Sequence, residues 1–216
     1  MNLLVSDFDG TFYDNNYKEN IKLIKKYKNL DFVIATGRNF SSLKNDLEID
    51  CKYYICNDGG YILDNNYKLI YRNYINKNTA QIIYSRIKEL GYNEYFFDNI
   101  DTFSKDIIDN INKISIRIQG GNTKKDIGYL LSKLTDVYAY ISTNWINILN
   151  INSLKSNGID FITNLNKYDN IYVVGNDIND LDMLKKYNGY LITNKNDKSY
   201  NTIKNFLELE NVIKND

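Results

Sequence analysis

The sequence predicts an α/β fold, a Rossmann-like parallel sheet with a smaller α+β region inserted into it. Three observations carry that expectation. Short continuous apolar runs alternate with helix-spaced segments at both ends of the chain, the pattern of strands buried on both faces. In the middle, strand-like runs follow one another directly, as antiparallel neighbours do. At 216 residues the chain is long enough for a large core with an insert.

Taken in order, "LLVS" (3–6) reads as the first strand and "NIKLIKKYKNL" (20–30) as a helix. "FVIA" (32–35) is a second buried strand, "SSLKNDLE" (41–48) a helix and "YYIC" (53–56) a third strand. Residues 75–152 form the insert. It holds helices in "NTAQIIYSRIKELG" and "TKKDIGYLLSKL", with strands in "EYFF", "KISIRIQ", "VYAYIS" and "WINILNI". The core resumes with a strand at 170–175, a helix at 179–187 and a strand at 189–193, and the tail "KSYNTIKNFLELENVI" is expected to be helical. The domains are therefore 1–74 with 153–216, and 75–152. Asn-rich "DNNYKEN" and "NKNDKSYN" are expected loops.

Lys+Arg and Asp+Glu balance at 27 each, so no charge bias points to nucleic acid or to a membrane surface. The opening lacks a basic segment before a long apolar one, and no run approaches the roughly 18 apolar residues of a membrane span. These features predict a cytoplasmic protein, a monomer or weak homo-oligomer. The absence of proline and the heavy use of Asn, Lys, Ile and Tyr match AT-rich codons, so the 20 tyrosines are read as packing. Cys51 and Cys56 lie an odd number of residues apart, which on a strand points them to opposite faces, and they read as ordinary buried thiols. There is no histidine, so proton transfer cannot use imidazole and any metal should be hard and oxygen-bound.

Ligands of parallel sheets bind beyond the carboxyl ends of the strands, and three such ends carry polar, glycine-punctuated turns. The first holds Asp7, Asp9, Gly10 and Thr11, the second Thr36, Gly37 and Arg38, and the third Gly175, Asn176, Asp177, Asn179 and Asp180. In an extended segment Asp7 and Asp9 face one site while Phe8 faces the core. Two carboxylates about 4 Å apart would repel by roughly 4 kcal/mol at an effective dielectric near 20, so one holds a proton or a cation sits between them. Taken alone, the pair also fits a solvated loop with one aspartate capping a helix. "TGR" suits phosphate at a helix start or merely caps it, and "GNDIND" suits Mg²⁺ or an Asx-rich turn. Lys155 in "LKSNGIDF" opens a helix just after the insert and can neutralise a phosphoryl oxygen. Convergence of the three turns on one rim argues more strongly than any one of them.

"DFDGTFYD", "ATGR", "LKSNGIDF" and "GNDINDLDML" resemble, in order, the four motifs of haloacid dehalogenase (HAD) superfamily phosphatases. The insert between the second and third motifs resembles that of the Cof-type branch, as does "NDGGYILD" (57–64), which precedes it. The resemblance implies a HAD-type core with a cap, acting as a Mg²⁺-dependent phosphatase on a small phosphorylated metabolite such as a sugar phosphate. Asp7 would be the nucleophile and form a phosphoaspartate. Asp9 would serve as acid and then base, which removes the need for histidine. Thr36, Gly37, Arg38, Lys155 and Asn179 would bind phosphate or substrate. Mg²⁺ would take Asp7, the Asp9 main-chain carbonyl, Asn176 and Asp180, the last directly or through water. The family usually has Gly-Asp where this chain has Gly175-Asn176, which removes one charge, and Asn176 is preferred to Asp177 as ligand. Arg38 and Asn57 sit near the rim by motif position, each able to touch the leaving group or brace a loop. Among Tyr92, Tyr95, Phe96, Phe97 and Trp145, most are expected in the cap core and a minority along the site. Phosphotransfer to another sugar is the neighbouring alternative. A phospho-receiver switch is disfavoured by Asp9 and by the insert, and a dead binding protein by the presence of Asp7, Asp9 and Lys155.

Overall fold

The computed structural model describes residues 1–195 and 198–213, so positions 196 and 197 of the expected loop "NKNDKSYN" lie outside the described residues. The elements run β1 (Asn2–Ser6), α1 (Tyr17–Lys26), β2 (Leu30–Ala35), α2 (Phe40–Asp46), β3 (Tyr53–Cys56), β4 (Tyr61–Asp64) and β5 (Leu69–Arg72). Next come α3 (Lys77–Glu89), β6 (Tyr95–Asp98), β7 (Phe103–Ser104), β8 (Lys113–Arg117), α4 (Thr123–Leu130), β9 (Val137–Ser142) and β10 (Trp145–Asn150). The chain returns through α5 (Lys155–Leu165), β11 (Asn170–Gly175), α6 (Leu181–Lys186), β12 (Tyr190–Ile192) and β13 (Asn201–Ile203).

The larger sheet has the order β13-β12-β11-β1-β2-β3-β4-β5, parallel from β13 to β3. Side chains alternate across a strand, and here the alternation separates two cores. Leu4, Phe32, Ile34, Tyr54 and Val174 pack with α1, α2 and Phe206 on one face. Leu3, Val5, Val33, Ile55 and Val173 pack with α5 and α6 on the other. A sheet covered on both faces needs apolar residues at every position, which is why its strands read as continuous runs.

The cap is a second sheet, β7-β6-β8-β10-β9, antiparallel throughout. Phe97, Ile114, Ile116, Ile146 and Ile148 face α3 and α4 in a core of their own. The intervening residues, among them Asp98, Lys113, Ser115, Asn147 and Trp145, turn toward the carboxyl ends of the central strands.

The structure corrects several expectations. The tail is not one helix: residues 201–203 form edge strand β13, and a three-ten turn follows at Phe206–Asn211. Thr202 and Ile203 are β-branched and suit a strand, and Asn205 breaks the run by accepting from Leu207 N–H at 3.1 Å. The antiparallel hairpin β4–β5 was not expected from the periodicity. Its turn uses Asp64, whose side chain accepts from the N–H groups of Asn66 and Lys68, rather than the usual glycine or proline. Cys51 precedes β3, so strand parity does not govern it, and both thiols are free, buried and in the same core. Among the described residues no helix is long and apolar enough to cross a membrane.

Candidate active site

The turns after β1, β2 and β11 converge, with the cap sheet above them, on one cavity of about 790 Å³. Asp7, Asp9, Gly10, Gly37, Arg38, Asn176, Asp177 and Asn179 line it from the core.

Asp7 prolongs β1, its N–H donating to Val174 O at 2.9 Å. Its carboxylate accepts from Lys155 Nζ at 2.7 Å, and the same ammonium donates to Asp180 Oδ1 at 2.6 Å. Lys155 and Asp180 are fully buried, and neither lines the cavity. Lys155 is the first residue of α5, a poor place for a cation beside the positive end of a helix. Two carboxylates outweigh that cost. The other Asp180 oxygen accepts the N–H groups of Asn176 and Asp177, at 2.9 and 3.0 Å, which fixes the acidic turn. Asp180 is thus a brace behind the cavity, with both oxygens engaged.

Asp9 is more exposed and points sideways. Arg38 Nε donates to it at 2.8 Å and a second guanidinium nitrogen completes the fork, while Nη1 holds Asp46 at 2.5 Å. The guanidinium also lies 5.2 Å over the Phe8 ring. In the structure each carboxylate has its own side-chain cation, Asp7 with Lys155 and Asp9 with Arg38.

Thr36 is buried and off the cavity wall. Its hydroxyl accepts the Arg38 N–H at 3.1 Å and its carbonyl the Asp58 N–H at 2.9 Å, so it shapes the turn that presents Gly37 and Arg38. Asn57, also buried, donates its N–H to Arg38 O at 2.9 Å from a left-handed conformation (φ 47°), a brace for the same turn. Asn179 reaches the cavity and donates to Asp58 Oδ1 at 2.7 Å. Phe96 and Trp145 line the cavity with Phe103, whereas Tyr92, Tyr95 and Phe97 belong to the cap core.

Sequence reasoning missed Asp58, Asp98, Lys113 and Tyr140. Asp58 is buried and accepts from Lys113 Nζ at 3.2 Å and from the Tyr140 hydroxyl at 2.7 Å. Burial pushes its carboxyl up, but Lys113, Lys155 and hydrogen bonds from Asn179 and Tyr140 hold it below its ordinary value. Burial pushes the Asp98 carboxyl, on the cap, up to about 6. Period-two alternation in "YFFD", "KISIR" and "VYAYIS" is the signal that would have found the cap residues.

The residues present fit a hard divalent cation. Asp7 and Asp180 share the single Lys155 ammonium, leaving one negative charge in excess. Burial pushes the Asp7 carboxyl up to about 7, aided by Asp180 and opposed by Lys155. A cation would relieve that excess. Among the described residues no three acidic side chains form a ready cage, so Asp7 would be joined by neutral oxygen donors. Gly10 (φ +72°) leaves room for one of them: a Cβ there would lie 2.5 Å from Asn176 Nδ2, so the Asn176 amide packs directly over the strand end.

The chain matches the haloacid dehalogenase-like hydrolase family over residues 4–101 and 84–211. It is 31% identical over 93 residues to an uncharacterized protein of Mycoplasma capricolum, a match spanning 37% of this chain and 35% of that protein. Among solved structures it is similar to a HAD-superfamily phosphatase from Bacteroides thetaiotaomicron, with 14% identity over 98% of this chain and 94% of that one, at a TM-score of 0.79. It is also similar to a haloacid dehalogenase-like hydrolase of B. subtilis, at 14% identity, 88% and 89% coverage and a TM-score of 0.78. A third is the sucrose-phosphatase of Synechocystis, solved with sucrose and phosphate, at 16% identity, 97% and 96% coverage and a TM-score of 0.72. With its four ordered motifs and its cap between the second and third, the chain belongs to the haloacid dehalogenase-like hydrolases.

Proposed function

We propose that this protein is a Mg²⁺-dependent phosphatase that hydrolyses a small phosphomonoester, a sugar phosphate or similar metabolite, through a phosphoaspartate on Asp7. The carrying observation is the Asp7 carboxylate at the floor of the capped cavity, fixed by Lys155 and aimed from a strand end. Asp7 attacks phosphorus and the ester oxygen leaves. Asp9 gives that oxygen its proton, which requires it to turn away from Arg38. It then takes a proton from the water that attacks the phosphoaspartate, releasing phosphate and restoring Asp7. Lys155 keeps Asp7 oriented, and Asn179 with the Gly37–Arg38 turn positions the phosphoryl group. When bound, Mg²⁺ would be held by Asp7, the Asp9 carbonyl and Asn176, with Asp180 behind, and would supply positive charge for the phosphoryl oxygens.

Residues 75–152 act in this reading as the cap, which limits water access to the site. Its Phe96 and Trp145 rings, beside Ser115 and Asn147, suit a leaving group with an apolar ring face and hydroxyl edges. A polyol fits that description better than nucleic acid or lipid. We place the enzyme in the cytoplasm, in keeping with its free buried thiols, as a monomer or weak homo-oligomer.

The test is phosphate release from a panel of sugar phosphates and one aryl phosphate, by wild type and Asp7→Asn, with Mg²⁺ and with chelator. Release that disappears with the substitution and with chelation supports the reading. Phosphate appearing on an added sugar instead of in solution would turn it to phosphotransfer.

A further inference from the structure

Asp58 stands outside the mechanism above, yet it is among the most constrained charges in the protein. It is 1% exposed and follows β3 in a left-handed conformation (φ 55°). One carboxylate oxygen accepts from two cap residues, Lys113 Nζ on β8 and the Tyr140 hydroxyl on β9. The other accepts from Asn179 in the acidic turn of the core. Lys113, itself 8% exposed, also donates to Gly37 O at 2.8 Å. One carboxylate thus ties two strands of the cap to two of the three turns that build the site.

The cap and the core have separate apolar cores. Apart from Ile100 of the cap, which packs against the larger core, the contacts that cross the cavity among the described residues are polar: the Asp58 group, Ser142 Oγ donating to Asp177 at 2.6 Å, and Asn39 donating to Asp98 at 3.2 Å. Of these, the Asp58 group is the most buried and has the most partners. A buried charge with its hydrogen bonds satisfied specifies one geometry, because any displaced arrangement leaves it unpaired.

We infer that Asp58 is a positioning residue, a clasp that closes the cap through Lys113 and Tyr140 and in the same act sets Asn179 and Gly37 for the phosphoryl group. When the cap swings away, Asp58 loses two donors and Asn179 loses the anchor's fixed orientation, so closure and assembly of the phosphate site are one event. The inference rests on the phosphatase reading for its kinetic consequence only.

The molecule supplies its own reporter. Trp145 is the sole tryptophan, and it lies on the cavity wall in the strand next to β9. Acrylamide quenching of Trp145 is compared in the full chain for wild type, Asp58→Asn, Lys113→Met and Tyr140→Phe, together with kcat/KM on the best phosphomonoester. The clasp predicts steeper quenching in all three variants, with cooperative melting retained. For Asp58→Asn it predicts a loss in kcat/KM of about tenfold or more, the equivalent of one charge-assisted hydrogen bond. Should Asp58→Asn fail to fold, Tyr140→Phe, which removes a single hydroxyl, decides the matter. Quenching equal to wild type in the folded variants overturns the proposal. If wild type hydrolyses no ester, it is the phosphatase reading that falls, and quenching still decides the clasp.

Discussion

Lys155 shows how much of this site is set by one side chain. Its ammonium sits between Asp7 and Asp180 with no exposure to solvent. Replacing it by Met would leave two buried carboxylates without a cation, a change that costs about 3–5 kcal/mol. Urea denaturation of Lys155→Met should show that loss, and turnover should vanish with it. Asn176 carries the opposite expectation. Asn176→Asp restores a carboxylate at the cavity rim, and the Mg²⁺ concentration giving half-maximal phosphate release should fall by roughly tenfold, since ligand charge count tunes such sites. Half-saturation equal to wild type would remove Asn176 from the ligand set. At this scale the motif residues were legible because their spacing places them at strand ends. Asp58 was not, because its role depends on Lys113 and Tyr140, which are 55 and 82 residues away.

Among elements, the junction between the turn after β3 and the start of α5 is the tightest. Gly59 has φ +94°, and a Cβ there would lie 2.3 Å from Leu154 O. Leu154 immediately precedes Lys155, so a shift there moves the cation under Asp7. Gly59→Ala should therefore cost about 1–3 kcal/mol in denaturant unfolding and lower turnover beyond what the stability loss explains. The strands of the larger sheet were readable as apolar runs because both faces are covered. The hairpin β4–β5 and the strand β13 were not. The hairpin turn is built from an aspartate side chain, and β13 has only three residues, too few for a period to register.

For the whole molecule, the relation between cap and core is open to pH. Asp98, on the cap, accepts from Asn39 on the core and faces Lys113. Burial raises its carboxyl to about 6 from an ordinary 3.8, so between those pH values the folded protein holds a proton that the unfolded chain has released. Stability from this group is present below about 3.8 and is lost as pH rises through about 6. Asp98→Asn removes that loss. Across this window the variant should gain stability relative to wild type, read as the difference between their urea midpoints at each pH. A constant difference would show that folding does not raise the Asp98 carboxyl. The second, antiparallel sheet was legible in the change between alternating strands and helices and strand-next-to-strand runs. Its closing contacts were not, because they pair residues from both lobes.

The central claim is that Asp7 carries the phosphoryl group, and the most direct measurement is to trap it there. Asp9→Asn, which lacks the base for the second step, is mixed with Mg²⁺ and an aryl phosphate that wild type turns over, whose leaving group departs without the proton Asp9 would supply, then quenched in acid and digested for peptide mass analysis. The account predicts one phosphoryl group on the peptide containing Asp7, absent when Asp7→Asn is added to the same chain. A phosphoryl group on another residue, or none while wild type turns over, would contradict it.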